Sequence, residues 1–112
     1  KYLKDSEWQN TYDYDLIENN KKIDVKTKRS NYEPRDDFRV AVASTSLHQN
    51  CDEYIFVFVL TDLGKAWIAG KKSKEEYFNN ATKMIKGQVD PFNNFKVRAD
   101  CYNLQIKELD TL

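Results

Sequence analysis

Two aspartates and a lysine lie close together in the N-terminal third of the chain, at Asp15, Asp24 and Lys26. Carboxylate oxygens are the ligands that hard divalent cations such as Mg²⁺ prefer. A bound divalent cation polarises a phosphate and lowers the pKa of its water. A neighbouring ammonium can orient that water or stabilise negative charge that develops on the phosphate. These residue types therefore point to metal-dependent hydrolysis of a phosphodiester bond.

A β-hairpin over residues 12–29 is the element expected to bring these three side chains together. Polar and apolar residues alternate on both sides of Asn19-Asn20, a pair that tolerates the positive φ of a tight turn. With those asparagines as the loop, Asp15 lies directly opposite Asp24. Like charges in that position destabilise a sheet, and a shared divalent cation is a reason to keep them. Lys26 follows Asp24 by two residues, so it points to the same side.

The same register makes two further predictions. Leu16 faces Ile23, an apolar pair that supports the register. Asp13 shares the face of Asp15 and pairs with Lys26. We interpret Asp13 as a charge partner of that lysine, with a role in metal binding as the alternative.

Four further segments have the patterns of β-strands. Residues 38–43 alternate in polarity, and residues 54–60 (YIFVFVL) are apolar on both faces, which predicts a central buried strand. Strands are also predicted at residues 65–69 and within residues 96–108. We predict an α/β or α+β domain with a central mixed sheet and a flanking helix.

The flanking helix is predicted to begin after Ser73. Ser73 is a good N-cap, and Glu76 three residues later gives a capping box. Gly87 is expected to end the helix. Between them an apolar face recurs at helical spacing, formed by Tyr77, Phe78, Ala81, Met84 and Ile85.

Residues 14–28 (YDLIENNKKIDVKTK) resemble the signature of the PD-(D/E)xK, or restriction-endonuclease-like, nuclease superfamily. That signature has an Asp at the end of one strand, a turn, and Asp/Glu-x-Lys on the next strand. Here Asp15 and then Asp24-Val25-Lys26 stand at those positions. Residues 12–85 are similar to the core of the superfamily, and small phage-encoded or bacterial members are the most similar. Tyr14 replaces the nominal Pro of the signature.

The resemblance implies that Asp15 and Asp24 hold Mg²⁺ or Mn²⁺, that the Val25 carbonyl completes the metal shell, and that Lys26 is catalytic. It implies a deoxyribonuclease, an endonuclease in preference to an exonuclease. A homodimer is expected by analogy with relatives that cut both DNA strands. The alternatives are a catalytically inactive DNA-binding or assembly module with the same fold, another phosphoryl-transfer or metal-binding role, and a solvated hairpin face without chemistry.

The opening helix of the superfamily, which often supplies a further acid, has no counterpart before residue 12. Glu7 is the nearby glutamate, and it stands in no helical pattern. We therefore predict one nuclease-like domain over residues 1–112 that lacks this helix or has it outside the sequence.

Other lysines are candidates for contacts with the DNA backbone. Lys28 continues the face of Lys26 and is either a phosphate contact or a solvated lysine. Lys71, Lys72 and Lys74 precede the predicted helix, and the N-terminus of a helix favours phosphates. An ordinary solvated loop is the alternative for these three residues.

Several other functional residue types are interpreted as structural. His48 is predicted to be a surface or turn histidine, and Gln49 beside it is a weak candidate for a substrate contact. Trp67 is predicted to lie in the core, although it can also stack on bases. Asp100 and Tyr102 are assigned structural roles on the last strand.

The composition fits one globular domain without a membrane span. The chain has 112 residues, of which 40% are hydrophobic, and its longest apolar run, residues 54–60, is far shorter than the roughly 18 residues of a bilayer span. Lys+Arg and Asp+Glu are both 18, so the net charge does not indicate a nucleic-acid binder, although a basic face is compatible with neutrality. Cys51 and Cys101 lack metal-ligand spacing and are too few for a disulfide scaffold. We interpret them as reduced thiols of a cytoplasmic protein, in the host cytoplasm if it is phage-encoded.

Overall fold

The structure is a computed structural model that describes residues 13–90, 94 and 96–112. The predictions that concern Glu7, residue 12 and the missing opening helix lie outside that part of the chain. The described part is a mixed α+β fold with a mixed sheet, as predicted. In chain order its strands and helix are β1 (Leu16–Glu18), β2 (Lys21–Ser30), β3 (Arg39–Ala43), β4 (Glu53–Leu60), β5 (Lys65–Ser73), α1 (Lys74–Asn80), β6 (Thr82–Met84) and β7 (Cys101–Gln105). Short 3-10 helices cover Ser44–His48, Thr61–Leu63 and Ile106–Glu108.

The hairpin of β1 and β2 forms in the predicted register. Asn19 and Asn20 have φ angles of 53° and 63°, in the left-handed region that a tight two-residue turn requires. Leu16 pairs with Ile23, and both side chains are buried. The local turn chemistry and the burial of this apolar pair therefore favour the same alignment.

The strand pairing ends sooner than the register alone predicts, because β1 begins only at Leu16. The Asp15 N–H still donates to the Ile23 carbonyl at 2.8 Å. Asp13 has left the sheet, and its Oδ1 accepts a hydrogen bond from the backbone N–H of Asn50 at 3.1 Å. The prediction that Asp13 pairs with Lys26 is therefore wrong.

Strand β4 lies in the interior of the larger sheet, as its apolar residues on both faces predict. The order of this sheet is β1-β2-β4-β5, with β4 parallel to β2 and antiparallel to β5. A parallel pair needs a long crossover, and residues 31–52 provide it. The crossover contains β3, which belongs to a second, antiparallel sheet with the order β3-β7-β6. The strands predicted at residues 38–43 and within 96–108 therefore pair with each other.

The core lies where one face of β4 packs against the second sheet and α1. The buried residues of this cluster include Tyr54, Phe56, Phe58, Leu60, Val40, Val42, Leu104 and Tyr77. The β2–β4 register places Asp24 beside Tyr54 and Lys26 beside Phe56. Partners in a parallel ladder point to the same side of the sheet, so the polar residues of β2 share the face that covers the core.

Helix α1 begins as predicted but is shorter. Ser73 Oγ accepts a hydrogen bond from the Glu76 N–H at 3.2 Å, which confirms the N-cap. The helix ends at Asn80, so the predicted extension to Ile85 is wrong. Thr82–Met84 instead pairs with β7, whose edge offers backbone partners that a longer helix would leave unused. Asparagines at the end of α1 are also weak helix formers.

None of the helices in the described ranges is long and apolar enough to cross a membrane. Cys51 is buried, Cys101 is half-buried, and both are free thiols. Burial raises the pKa of each thiol, which keeps both protonated and weakly nucleophilic near neutral pH.

Tyr77→Phe tests the packing of α1 on the second sheet. Tyr77 is fully buried, and its hydroxyl donates to the Tyr102 carbonyl at 2.6 Å. Removing the hydroxyl leaves the half-buried Tyr102 carbonyl without that donor, so we expect the free energy of unfolding to fall by about 1–2 kcal/mol. Urea unfolding measures the change. The control is Tyr32→Phe, whose side chain is 61% exposed and whose substitution should cost less than about 0.5 kcal/mol. Equal losses in the two variants would contradict the assignment.

Candidate active site

Asp15, Asp24 and Lys26 meet at the edge of β2, just beyond the end of its pairing with β1. Asp15 Oδ2 accepts a hydrogen bond from the Val25 N–H at 2.7 Å. The Asp15 side chain thus satisfies a backbone donor of β2 at a position where β1 backbone no longer pairs with that strand. Lys26 Nζ lies 2.8 Å from Asp24 Oδ2. The structure therefore brings the three predicted residues together, although strand pairing does not include Asp15.

The Val25 carbonyl is directed to the same edge. In an extended strand the N–H and the C=O of one residue point to the same neighbouring strand. Since the Val25 N–H is bound by Asp15, the carbonyl of Val25 faces the side on which that carboxylate lies. Its position is compatible with the predicted role as an oxygen ligand.

Three polar contacts hold the ammonium group of Lys26 in place. Besides the ion pair with Asp24, Nζ donates to Ser46 Oγ and to Gln49 Oε1, each at 3.2 Å. The ammonium also lies 5.5 Å from the centroid of the Tyr54 ring, within the range of a cation–π contact. An ammonium has three N–H donors, so these contacts fix both its position and its orientation.

Ser46 and Gln49 are the residues of this site that sequence reasoning missed or misjudged. The sequence indicates Gln49 only as a weak candidate for a substrate contact and gives no indication of Ser46. They lie 20 and 23 residues after Lys26 in the chain. The 3-10 turn Ser44–His48 carries Ser46 over the core face of β2 and is followed directly by Gln49. No spacing motif signals such a contact, because it depends on the crossover between β2 and β4.

The surroundings of the Asp24 carboxyl group are unfavourable for its charged form. It is 5% exposed, and burial raises the pKa of its carboxyl. Lys26 opposes that rise, whereas the neighbouring Asp15 carboxyl adds to it. The buried Asp24 Oδ2 has the Lys26 ammonium 2.8 Å away as its ion-pair partner. With Asp15 beside this pair, two acids face one ammonium, and the remaining negative charge suits a cation.

The donor set fits a hard divalent cation of the Mg²⁺ type. Mg²⁺ keeps several of its waters and commonly uses only one or two protein carboxylates. Asp15, Asp24 and the Val25 carbonyl provide oxygen ligands of that kind. No group of three or more His, Cys, Asp or Glu side chains is arranged for a metal ion in the part of the chain that the structure describes. Two carboxylates and one carbonyl leave positions for water ligands, so this donor set fits a partly hydrated ion.

The lysines around the start of α1 make contacts within the protein. Lys72 Nζ lies 3.5 Å from a carboxylate oxygen of Glu76 and from one of Asp110. Lys74 Nζ donates to the backbone carbonyls of Leu47, at 2.9 Å, and of the Gln49 peptide. These contacts give both lysines a structural role, and their contact with DNA stays a prediction.

Lys71 and Lys28 differ in their surroundings. Lys71 is half-buried and forms a backbone bridge with Asp110. Lys28 is exposed on β2, on the side that carries Asp24 and Lys26. Of the predicted DNA contacts, Lys28 therefore continues the exposed face of the site, whereas Lys74 contacts the backbone of Gln49, whose side chain holds Lys26.

The predictions for His48 and Asp100 are confirmed, and the prediction for Trp67 is wrong. His48 is exposed in a 3-10 turn, as predicted. Asp100 is structural, since its Oδ1 accepts a hydrogen bond from the Lys86 N–H at 2.8 Å. Trp67 lies on strand β5 at the edge of the sheet with 40% of its surface exposed, so its predicted place in the core is wrong.

Comparisons of the chain with models of protein families, with curated proteins and with solved structures found no match. The interpretation of the site therefore depends on its own geometry. Two carboxylates, a backbone carbonyl and an oriented ammonium can together bind a cation and act on a negatively charged group beside it.

Asp24→Asn tests whether the buried carboxylate destabilises the protein. Because the pKa of Asp24 is raised above its usual value of 3.8, its contribution to folding is complete below pH 3.8. That contribution is lost as the pH rises through the raised pKa. With chelator at pH 7, we therefore expect the Asn variant to have a higher free energy of unfolding than the wild type. The difference should shrink as the pH falls towards 4, and urea unfolding at each pH measures it.

The control for this measurement is Asp62→Asn, which changes an exposed aspartate in the turn after β4. Its effect should stay below about 0.5 kcal/mol at both pH values. A loss of stability in Asp24→Asn at pH 7 would mean that the Asp24–Lys26 ion pair stabilises the fold, which contradicts the expectation.

Mn²⁺ or Mg²⁺ should raise the Tm of the wild type and leave that of Asp24→Asn unchanged. A ligand that binds only the folded state stabilises it by about 2.7 kcal/mol at a concentration of 100 times its Kd. Thermal unfolding with the metal and with chelator measures the shift, and Asp62→Asn should respond like the wild type. If neither metal changed the Tm of the wild type, the proposal that the site binds a divalent cation would be wrong.

Proposed function

We propose that the protein is a metal-dependent deoxyribonuclease with a restriction-endonuclease-like core. The observation that carries this proposal is the convergence of Asp15, Asp24 and Lys26 at the edge of β2, with Asp24 buried beside a second carboxylate. Asp15, Asp24 and the Val25 carbonyl would hold Mg²⁺ or Mn²⁺. When bound, that ion would polarise the scissile phosphate and lower the pKa of a coordinated water.

The arrangement of the strands supports this proposal. An antiparallel hairpin supplies one acid directly before the start of β1 and the Asp-x-Lys sequence from β2. A buried central strand supports β2 from the other side, and helix α1 packs on the core. The site is thus built mainly on a paired strand, which holds catalytic groups more rigidly than a loop.

Lys26 would act on the group that gains charge during hydrolysis. Ser46 and Gln49 accept two hydrogen bonds from its Nζ and hold the ammonium in place. The side of Nζ that faces Asp24 Oδ2 lies next to the proposed metal ligands. There the ammonium can donate to the attacking water or to a phosphate oxygen, and such donors are most effective when they are already oriented.

One contact favours a second candidate, a catalytically inactive DNA-binding or assembly module with the same fold. The 2.8 Å ion pair between Lys26 and Asp24 partly neutralises the buried acid without any metal. In such a module the pair would be a structural remnant and the Asp15 side chain would serve only to bind the Val25 N–H. The homodimer expected from the resemblance stays a prediction under both functions.

Cleavage assays separate the two candidates. We expect the wild type to cut plasmid or branched DNA with Mg²⁺ or Mn²⁺ and to lose this activity with chelator. Asp24→Asn and Lys26→Met should each lower the rate by about 100-fold or more, because the first removes a ligand of the proposed metal ion and the second removes a donor to the charge that develops on the phosphate. Gel analysis of the initial rate measures the loss.

The matched controls are Asp62→Asn and Lys65→Met, which change exposed residues at the other end of the sheet. Both should cut at the wild-type rate. A wild type that binds Mn²⁺ but cuts no DNA would overturn the nuclease proposal and favour the inactive module. Wild-type rates in Asp24→Asn and Lys26→Met would overturn the assignment of the site.

A further inference from the structure

A cavity of about 920 Å³ lies farther along β2, beyond the proposed active site. A volume of this size suits a ligand as large as a nucleotide. Basic side chains outnumber acids in its lining, although the whole chain carries no net charge. The charged residues that line it are Lys28, Arg29, Arg35, Arg39 and Asp37.

The cavity and the proposed active site share one face of the larger sheet. Lys28 follows Lys26 by two residues and therefore points to the same side, roughly 7 Å farther along the strand. Their partners on β4 are Phe56 for Lys26 and Phe58 for Lys28, and Phe58 lines the cavity. A chain of phosphates bound at Lys26 would therefore meet Lys28 next.

Aromatic and guanidinium groups form a second feature of the cavity. The Tyr32 side chain is 61% exposed, and its ring meets Phe38 edge-on with the centroids 5.9 Å apart. The Arg35 guanidinium lies 5.2 Å from the centroid of the Phe38 ring. Phe38 thus supports an exposed ring and an exposed planar cation, and both are surfaces on which a nucleobase can stack.

Among the residues that line the cavity, the basic excess remains after their ion pairs are counted, although Glu33 and Asp36 stand in the same loop without lining it. Arg35 pairs with Asp37 at 3.2 Å, and both side chains are exposed to solvent. Arg39 pairs with Asp90 at 3.1 Å. Exposed ion pairs are weak, so a phosphate can compete for Arg35.

We propose that this cavity binds a single-stranded segment of DNA adjoining the scissile phosphate. The inference rests on the proposed function and deepens it. Lys28 and Arg35 bind phosphates, and a base stacks on Tyr32. The bases of a duplex are stacked on each other and do not present their faces to a protein, whereas those of a single strand do. The preferred substrate of the site is therefore DNA with a single-stranded end, flap or branch next to the cut.

Binding in the absence of catalysis tests the cavity separately from the nuclease activity. Fluorescence anisotropy is measured with Asp24→Asn in chelator, with a labelled 15-nucleotide oligo-dT and a blunt duplex of equal length. We expect the single strand to bind at least ten-fold more tightly than the duplex. Adding Tyr32→Ala should weaken the binding by about ten-fold, because one stacking contact is lost. Tyr32→Phe, which keeps the ring, should bind normally.

Salt titration tests the phosphate contact. Adding Lys28→Ala should reduce the slope of log K against log salt by about 0.7, the value for one phosphate of a single strand. The controls are Trp67→Ala and Lys65→Ala, an exposed aromatic and an exposed lysine on β5. Neither residue lines the cavity, and neither change should affect affinity or slope.

Three results would overturn the inference: duplex binding as tight as that of the single strand, equal losses in the control variants, or competition by polyglutamate as strong as by oligo-dT. The last would identify a surface for acidic polypeptides. If the wild type cleaves DNA but the cavity variants bind the single strand as tightly as Asp24→Asn alone, the proposed role of the cavity is wrong and the nuclease proposal stands. Absent cleavage with intact binding of the single strand would overturn the nuclease proposal and leave the cavity in place.

Discussion

The parallel pairing of β2 with β4 is the interaction on which the rest of the structure depends. It aligns Asp24 and Lys26 with aromatic residues of the core strand, so charged side chains of β2 lie on the side of the sheet that packs on the second sheet. The crossover that this pairing requires contains β3 and the turn that carries Ser46, and Gln49 follows the turn. One pairing therefore buries the acid and brings the groups that hold the lysine.

This arrangement places charged side chains at positions that are unfavourable for the stability of the fold. Burial and the nearby Asp15 raise the pKa of Asp24, and the Lys26 ammonium offsets part of this cost. Asp15 has a different role. Its carboxylate accepts a hydrogen bond from the Val25 N–H at the part of the β2 edge that β1 does not pair with. Because the site lowers the free energy of unfolding when no cation is bound, cation binding is coupled to the stability of the protein. Perturbed carboxyl groups of this kind are more frequent at functional sites than elsewhere.

The neutral net charge hides a segregation of charge along β2. At the proposed active site Asp24 is paired with Lys26, whereas the cavity farther along β2 has a basic excess from Lys28, Arg29, Arg35 and Arg39. An overall charge reports on the whole surface, whereas a bound polyanion responds to the field near its path. A chain without a basic balance can therefore still carry a basic cleft.

The sequence by itself determined the features that depend on near neighbours. The asparagine turn and the Leu16–Ile23 pair set the hairpin register, and Ser73 set the start of α1, because each rests on contacts within a few residues. The apolar run of β4 indicated a central strand, because a strand buried on both faces needs apolar side chains whichever strands lie beside it. The end of α1 was decided by β7, which offers a sheet edge to residues that helical periodicity also fits. The early end of β1, the place of Ser46 and Gln49 at Lys26 and the cavity beyond Lys28 all arise from contacts between segments far apart in the chain. Only the tertiary structure decides them, because no local spacing records which distant segment covers a strand.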